Sequence, residues 1–308
     1  MMACALLAAA PARAQPEAGT WTMKAPRPAI TNEAAAVAIG GKLLAPGGSH
    51  QGKSTTRHDE YDPASDRWRA LAALPQPLDH IAAAAVNGKL YGAGGFDSTV
   101  HKGASDAFLE YDPAVDRWRY LVPLKAPLGA AGAAVLNGKI HVIGGRARDH
   151  DVFATHQVYD PAINAWTDAA PLPLARDHLA VVAAEGKIHV IGGRVSTPDE
   201  RTGRHDVYDP ATNAWTAGPP LPTPRSAMAA ALYKGLILVV GGETRAMTFT
   251  ENEAYDVKNG RWVTLKPMPA GRHGHGAAVI GNNVYFVGGA LGPGGRDNTN
   301  ELIVFSLP

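Results

Sequence analysis

The amino-acid sequence predicts an all-β protein built from six copies of one unit. Three features repeat in phase along its 308 residues: a tryptophan, the pair Gly-Gly, and a tyrosine that phenylalanine replaces in the last copy. Each feature recurs at intervals of 47 to 50 residues. The tryptophans are Trp21, Trp68, Trp118, Trp166, Trp215 and Trp262. A period in this range is typical of the blades of a β-propeller, so six blades are expected.

Each unit is expected to contain four antiparallel strands. A first run such as residues 133–136 leads through the turn Asn137-Gly138 into a second run, Lys139–Ile143, which ends at Gly-Gly. Glycine readily takes the positive φ that a two-residue turn needs. The third strand ends at the tyrosine, and an Asp-Pro-Ala turn then leads into the tryptophan strand. Alanine-rich runs such as residues 82–85 are too short for helices and are predicted to be innermost strands, where small side chains fit.

This pattern of Gly-Gly, Tyr-Asp-Pro and tryptophan at fixed offsets resembles the kelch repeat over residues 20–308. The resemblance implies a six-bladed kelch β-propeller. The last unit stops soon after Phe305 and has no tryptophan strand, whereas Trp21 stands before the first complete unit. We therefore predict that the N-terminal strand near Trp21 completes the last blade and closes the ring.

The N-terminus has the pattern of an export signal. Small apolar residues precede Ala12 and Ala14, which together form the motif that signal peptidase reads. We predict a cleaved signal peptide over residues 1–14, a single propeller domain over residues 15–308, and a periplasmic or secreted protein. The alternative is that this segment is an alanine-rich strand or helix of the fold. Cys4, the single cysteine, lies in the segment, so the mature chain is expected to lack cysteine.

The composition excludes several classes of function. With 19% charged residues and a net charge of +1, the chain is neither a polyelectrolyte nor a basic nucleic-acid binder. No apolar run is long enough to span a membrane after the signal is removed. We assign no metal and no cofactor.

The loops that follow Gly-Gly and tryptophan are expected to share one face of the ring and to carry the function, because their chemistry varies between blades. Five arginines occur on this face, and a guanidinium suits a carboxylate ligand. They are Arg146, Arg176, Arg194, Arg225 and Arg272. One interpretation is a pocket for an anionic small molecule or an acidic peptide. The other is that these arginines pair with aspartates and glutamates of neighbouring blades.

Two histidines, His80 and His178, occupy equivalent positions fourteen residues before Gly-Gly, and each follows an aspartate. With Glu243, which follows Gly-Gly in blade five, they are candidate ligand-binding residues, and Glu243 and His178 are candidate proton carriers. Adjacent residues on a strand point to opposite sides, so Asp79 and His80 need not touch.

We expect a binding or interaction module whose partner is a protein or an acidic small molecule. The alternative is an enzyme, because exported six-bladed kelch proteins include sialic-acid mutarotases, to which this chain is similar in blade number, export signal and arginine-rich face. That similarity implies that Arg146 or Arg194 would hold a carboxylate while Glu243 or His178 moves a proton. Copper-radical oxidases also use kelch blades, but they need a cysteine cross-linked to tyrosine and are therefore excluded.

Overall fold

A computed structural model describes residues 18–147 and 151–308. Over these residues the chain forms six four-stranded antiparallel sheets and contains no helix, which confirms the all-β, six-bladed prediction. No helix of the length and apolarity needed to cross a bilayer is therefore present in this part of the chain. The expected signal peptide, residues 1–14, lies outside the described residues.

The first strand of each blade is the innermost and contacts the first strands of both neighbouring blades. These strands are Val37–Ile39, Ala82–Val86, Gly132–Leu136, Ala180–Ala184, Ala229–Tyr233 and Gly276–Ile280. Each is joined by a tight turn to a second strand. The second strands are Lys42–Pro46, Lys89–Ala93, Lys139–Ile143, Lys187–Ile191, Leu236–Val240 and Asn283–Val287. In blade three both turn residues, Asn137 and Gly138, have positive φ (52° and 74°), as expected for a hairpin turn of this type.

The third strand carries the repeating tyrosine or phenylalanine. The third strands are His58–Asp62, Phe108–Asp112, His156–Asp160, His205–Asp209, Asn252–Asp256 and Leu302–Ser306. In blades one to five the outermost strand follows and carries the tryptophan. These strands are Arg67–Ala70, Arg117–Tyr120, Ala165–Asp168, Ala214–Ala217 and Arg261–Thr264. Two small hairpins extend the loops of blades one and six. They are Ser49–His50 with Lys53–Ser54, and Ala290–Gly292 with Arg296–Asn298.

The N-terminal strand closes the ring. Thr20–Lys24 is the outermost strand of blade six and pairs antiparallel with Leu302–Ser306. Trp21 lies opposite Phe305, and the centroids of the two rings are 4.9 Å apart. The predicted closure is therefore confirmed, and every blade has four strands.

The Gly-Gly pairs lie where each blade meets the next. Gly94 has a φ of +62°, and a Cβ added to it would lie 2.1 Å from the carbonyl oxygen of Leu128 in the following blade. The N–H of Gly95 donates to the same carbonyl at 2.8 Å. Two backbones thus approach too closely for a side chain, which explains why the pair recurs in every blade.

Each tryptophan bonds its blade to the preceding one. The indole N–H of Trp118, for example, donates to the carbonyl of Ala72 at 3.0 Å. All six indoles make the equivalent bond. Apolar clusters fill the space between adjacent sheets, as where Phe108 of blade two packs edge-on against Tyr159 of blade three. Because the core lies between the blades, each blade depends on its neighbours for burial.

Candidate functional site at the channel mouth

Six equivalent residues line the mouth of the central channel on the loop face. They lie fourteen residues before the first glycine of each Gly-Gly pair and are Glu33, His80, Ala130, His178, Ala227 and Gly274. All six have a positive φ, between 49° and 61°. Each backbone N–H donates to the carbonyl of its counterpart in the preceding blade, at 2.7 to 3.1 Å, so that six hydrogen bonds form a closed circle. This circle holds the residues in a conformation that side chains other than glycine rarely adopt.

A cavity of about 200 Å³ opens at this mouth. Its wall consists of the six circle residues and of the residues that begin the innermost strands, mostly alanine. Its polar lining residues are Glu33, His80, His178 and His275. The cavity therefore has an apolar wall, with its ionisable groups gathered near the mouth.

Each aspartate–histidine pair is in direct contact. The Nδ1 atom of His80 lies 2.6 Å from a carboxylate oxygen of Asp79, and Nδ1 of His178 lies 3.0 Å from Asp177. The strand alternation used in the sequence argument does not apply here, because both histidines are in the left-handed conformation of the circle. Each histidine ring therefore turns back onto the carboxylate that precedes it.

A third histidine, His101, joins the site from the loop of blade two. Its Nε2 atom lies 3.1 Å from Nε2 of His178, and its ring centroid is 4.8 Å from that of His80. The edge of Phe96 packs against both His80 and His101. Blade three contributes only Ala130 to the circle between the two histidines, and this leaves room for His101. Sequence reasoning missed this residue because it has no counterpart at the same offset in other blades.

Arg194 contacts most of the polar groups at the mouth. Its Nε atom lies 3.0 Å from Asp177, and its Nη2 atom lies 3.2 Å from Nε2 of His178 and 3.5 Å from Nε2 of His101. Arg146, at the equivalent position in the preceding blade, lies 3.4 Å from the other carboxylate oxygen of Asp177. These two predicted arginines are therefore brought together with His80 and His178.

The other three predicted arginines lie inside their own blades. Arg176 is fully buried, pairs with Asp206 at 2.9 Å and donates to three backbone carbonyls. Arg225 pairs with Glu253 and Arg272 with Glu301 in the same way. The role of these guanidiniums in the fold is structural, and the pairing is within one blade rather than between neighbours.

Arg27 has the same role in blade one, where it is fully buried and pairs with Asp59 at 2.7 Å. Its guanidinium also donates to the hydroxyl of Thr31, which stands at the position that arginine occupies in blades four to six. Because Arg27 reaches this place from four residues earlier in the chain, the repeat offset did not reveal it.

Glu243 continues the polar group across blades five and six. Its carboxylate lies 3.5 Å from Nη1 of Arg194 and 3.4 Å from Nε2 of His273. His273 in turn lies 3.5 Å from Glu33, whose other oxygen is 3.3 Å from Nε2 of His80. Charged and ionisable groups therefore extend around the mouth from blade four, through blades five, six and one, to blade two.

Two histidines of the site have raised pKa values. Burial disfavours the charged form of His80, but the carboxylates of Glu33 and Asp79 outweigh burial and raise its pKa. Burial likewise opposes protonation of His273, whose pKa is raised by Glu33 and Glu243. Burial would raise the pKa of Glu33, but the charge of His80 and the hydrogen bond with His273 lower it to about 2.

The pKa values of His101 and His178 are lowered, and that of Asp177 is raised by burial. Burial lowers the pKa of His101 to about 2 and that of His178 well below its ordinary value, and Arg194 and His80 add to both effects. Burial raises the pKa of Asp177, against the opposing charge of Arg194. The site therefore holds imidazoles that favour the charged form beside imidazoles that favour the neutral form.

The fold and the site together define a six-bladed β-propeller with a dense group of ionisable side chains at the mouth of its channel. The KLHDC2/KLHL20/DRC7 Kelch-repeats domain matches residues 122–289, more than half of the chain, and the Kelch motif matches residues 77–125. The chain belongs to the kelch-repeat family, as the sequence pattern implied.

A solved structure titled "Structure of YjhT" has the same fold. It superposes with a TM-score of 0.77 at 20% sequence identity, over 90% of this chain and 95% of that chain. At this level of identity the likeness concerns the fold alone. No curated protein sequence matches the chain.

Proposed function

We propose that the protein is a binding module whose site is the channel mouth, and that its ligand is a small molecule bearing a carboxylate and hydroxyl groups, such as an acidic sugar. Kelch propellers commonly bind proteins or other ligands. The choice of a small acidic ligand rests on the residues that converge at this mouth.

The pair Arg146 and Arg194 carries the proposal. The two side chains come from the same position of adjacent blades, are only 3% and 2% exposed, and both approach Asp177. Paired guanidiniums suit a carboxylate, since each offers a planar set of donors. The nearby carboxylates of Glu33 and Glu243 are acceptors for hydroxyl groups. A hydroxylated acid therefore finds both kinds of partner within one site.

Glu33 and His178 line the cavity, whereas Arg146 and Arg194 lie outside its lining. The size of the cavity supports a small ligand. Its volume of about 200 Å³ is below the range of roughly 300–1,000 Å³ that holds drug-sized molecules. A stable protein interface buries about 800 Å² on each partner, which is far more surface than a cavity of this volume offers. A ligand of monosaccharide size or smaller is the better match.

Calorimetric titration with N-acetylneuraminate and, for comparison, with uncharged N-acetylglucosamine tests this proposal. We expect only the acid to bind, and Arg146→Gln and Arg194→Gln each to weaken its binding at least tenfold, which is about 1.4 kcal/mol. Arg117→Gln, on the exposed face of an outermost strand, is the matched control and should bind normally. Equal binding of the neutral sugar, or unchanged affinity in both folded arginine variants, would contradict the proposal. A protein partner that binds this face without competing with the sugar would also contradict it.

A second candidate function is mutarotation of such an acid. Glu243 favours it, because this carboxylate lies 3.5 Å from the Arg194 guanidinium that would hold the ligand and is therefore placed to move a proton. In mutarotation the anomeric hydroxyl loses a proton, the ring oxygen gains one, and the ring C–O bond breaks and re-forms. NMR exchange spectroscopy of the N-acetylneuraminate anomers should show faster exchange with the wild type and not with Glu243→Gln. Binding without acceleration would leave the binding module as the function.

We further propose that the chain is exported and that residues 1–14 are removed. The support is the Ala12-x-Ala14 motif after a small apolar run. N-terminal sequencing of the protein from a periplasmic fraction should begin at Gln15. Recovery of the uncleaved chain from the cytoplasm alone would contradict export.

A further inference from the structure

We propose that the imidazoles of His80, His101 and His178 form a binding site for a divalent transition-metal ion such as Zn²⁺. The three rings make a nearly regular triangle, with centroids 4.8, 5.0 and 5.0 Å apart. Among residues 18–147 and 151–308, this is the group of three whose candidate ligand atoms all lie within 4.8 Å of one another. The site goes beyond the proposed function, because acidic-ligand binding does not require it.

The spacing of the nitrogens is close to what zinc requires. Zinc binds imidazole at about 2.0–2.1 Å with tetrahedral geometry, so that two coordinating nitrogens lie roughly 3.3 Å apart. The Nε2 atoms of His101 and His178 are already 3.1 Å apart. The ligand atoms of all three histidines lie within 4.8 Å of one another. Because His80 and His178 are both held on the circle, their side chains must rotate for the three nitrogens to reach one ion.

The carboxylate behind His80 orients its ring as metal-bound histidines are usually oriented. Asp79 and Asp177 lie at 2.6 and 3.0 Å from the Nδ1 atoms of His80 and His178. A carboxylate at Nδ1 keeps the proton on that nitrogen and leaves the lone pair on Nε2, the arrangement found behind most metal-bound histidines. Asp79 makes this hydrogen bond to His80, whereas the contact of Asp177 with His178 is close but is not a hydrogen bond.

His80 provides an independent observation. Its side chain is 2% exposed, and its Nε2 atom makes no hydrogen bond to any described residue. A carboxylate oxygen of Glu33 lies 3.3 Å from it. This nitrogen has an ion-pair partner when it is protonated but makes no hydrogen bond, and coordination to a cation between the three rings would give it a directional partner.

The surrounding charges favour a divalent cation. Four carboxylates belong to the site, and they are Glu33, Asp79, Asp177 and Glu243. Against them stand two guanidiniums, Arg146 and Arg194. These carboxylates and guanidiniums alone give a formal charge of −2, which His80 and His273 balance when both are protonated. A divalent ion that replaces the proton of His80 would take over this balancing role. Imidazole nitrogen is a ligand type that suits zinc, copper, iron and nickel.

Arg194 is the natural competitor of the metal. Its Nη2 atom lies 3.2 Å from Nε2 of His178 and 3.5 Å from Nε2 of His101, close to where the ion would bind. A metal ion must therefore displace this part of the guanidinium toward Asp177 and Glu243, which Arg194 already contacts. Three protein ligands also leave a coordination position for water or an anion, as in catalytic zinc sites.

Calorimetric titration of tag-free protein with ZnCl₂, together with the visible absorption of the CoCl₂-loaded protein, tests the site. We expect one ion per chain and a tetrahedral Co²⁺ spectrum. His101→Ala should weaken Zn²⁺ binding at least tenfold, and His101→Gln should do the same while keeping a polar side chain next to His178. His50→Ala, an exposed histidine on the loop of blade one, is the matched control and should bind normally.

Arg194→Gln separates this inference from the proposed function. It should tighten Zn²⁺ binding severalfold by removing a competing cation, whereas it should weaken binding of the acidic ligand. Absence of Zn²⁺ binding to the folded wild type, or unchanged binding in both His101 variants, would overturn the metal site. Neither result bears on the titration with N-acetylneuraminate.

Discussion

Arginine has two different environments in this ring. Arg176 is buried within its blade, where a carboxylate and backbone carbonyls bind its guanidinium. Arg194 directly follows the Gly-Gly pair of the same blade. It contacts a carboxylate and imidazoles of the channel mouth instead. Side chains of the first kind stabilise the blade, and side chains of the second kind belong to the group for which we propose ligand binding. The two kinds should therefore respond differently to substitution.

The variant Arg176→Met should lower the free energy of unfolding by about 1–3 kcal/mol, because it leaves buried backbone carbonyls without their donor and leaves Asp206 with only the partly exposed Arg204 as its partner. Urea denaturation followed by tryptophan fluorescence measures this loss. Arg117→Met, on an exposed strand face, should change stability by less than about 0.5 kcal/mol. An equally small effect at Arg176 would show that its ion pair contributes little.

Buried histidine pairs should make stability depend on pH. Nδ1 of His141 lies 2.8 Å from Nε2 of His156, and burial lowers the pKa of each to about 4. Their ordinary pKa is 6.5, so between these values the unfolded chain binds more protons than the folded chain. Stability should therefore fall as the pH decreases from 6.5 to 4, by about 1.4 kcal/mol per pH unit for each imidazole that stays neutral.

Blade two supplies the control for this pH dependence, because Tyr91 and Phe108 occupy the positions that correspond to His141 and His156. The double variant His141→Tyr/His156→Phe should show a smaller decrease in melting temperature between pH 7 and pH 5 than the wild type. An identical pH dependence of the two proteins would assign the effect to other groups.

At the level of the element, the turns and the Gly-Gly pairs use glycine for different reasons. Gly138, in the hairpin turn of blade three, has a φ of +74° and open space around the position of a Cβ. Gly94 has a similar φ, but its Cβ would meet the backbone of the following blade at 2.1 Å. The hairpin glycine thus serves one blade, whereas the Gly-Gly glycine determines how two blades pack.

Alanine substitutions distinguish these two roles. Gly138→Ala should lower the free energy of unfolding by about 1–2 kcal/mol, because only the strain of the left-handed conformation is added. Gly94→Ala should lower the free energy of unfolding by several kcal/mol more, because the backbone of blade three must also move away from the added Cβ. Chemical denaturation of the two variants measures the difference. Equal costs would contradict the close approach of the two blades.

At the level of the whole molecule, the ring is held by contacts that run from each blade to the next and finally from the last to the first. The circle of backbone bonds at the channel mouth, the Gly-Gly bonds and the tryptophan indoles all follow this order. In blade six the chain of contacts depends on Trp21, which packs on Phe286 and Phe305 and donates to Lys266 at 2.9 Å. Loss of that strand should therefore affect all six blades.

A chain that begins at Ala25 should unfold at a lower temperature than one that begins at Gln15, because it lacks the outermost strand of blade six. The free energy of unfolding is expected to fall by at least about 3 kcal/mol, which is comparable with the effect of removing one large core side chain. The chain that begins at Gln15 retains Thr20–Lys24 and should melt like the full-length protein. Equal melting of the two truncated chains would contradict closure of the ring by this strand.

Much of the fold could be predicted from the sequence because its signals are local and repeated. The turn chemistry of Asn137-Gly138 and the spacing of tryptophan depend on a few neighbouring residues, and six copies reinforce one another. The buried pairs His141–His156 and His189–His205 could not be predicted from local patterns, because the two members of each pair lie on different strands and strand register brings them together. Arg27 was not predicted because it lies four residues before Thr31, which stands at the repeated arginine position in blade one.

The sequence by itself therefore determined the number of blades, their four-strand plan and the closure at Trp21, because periodic patterns and turn residues specify these directly. Only the tertiary structure decided which arginines reach the channel mouth, that Asp79 touches His80, and that His101 lies beside His178. These contacts depend on the left-handed circle formed by hydrogen bonds between blades and on the path of one loop. Neither is encoded in the residues next to the histidines, so the site emerges only when the ring is assembled.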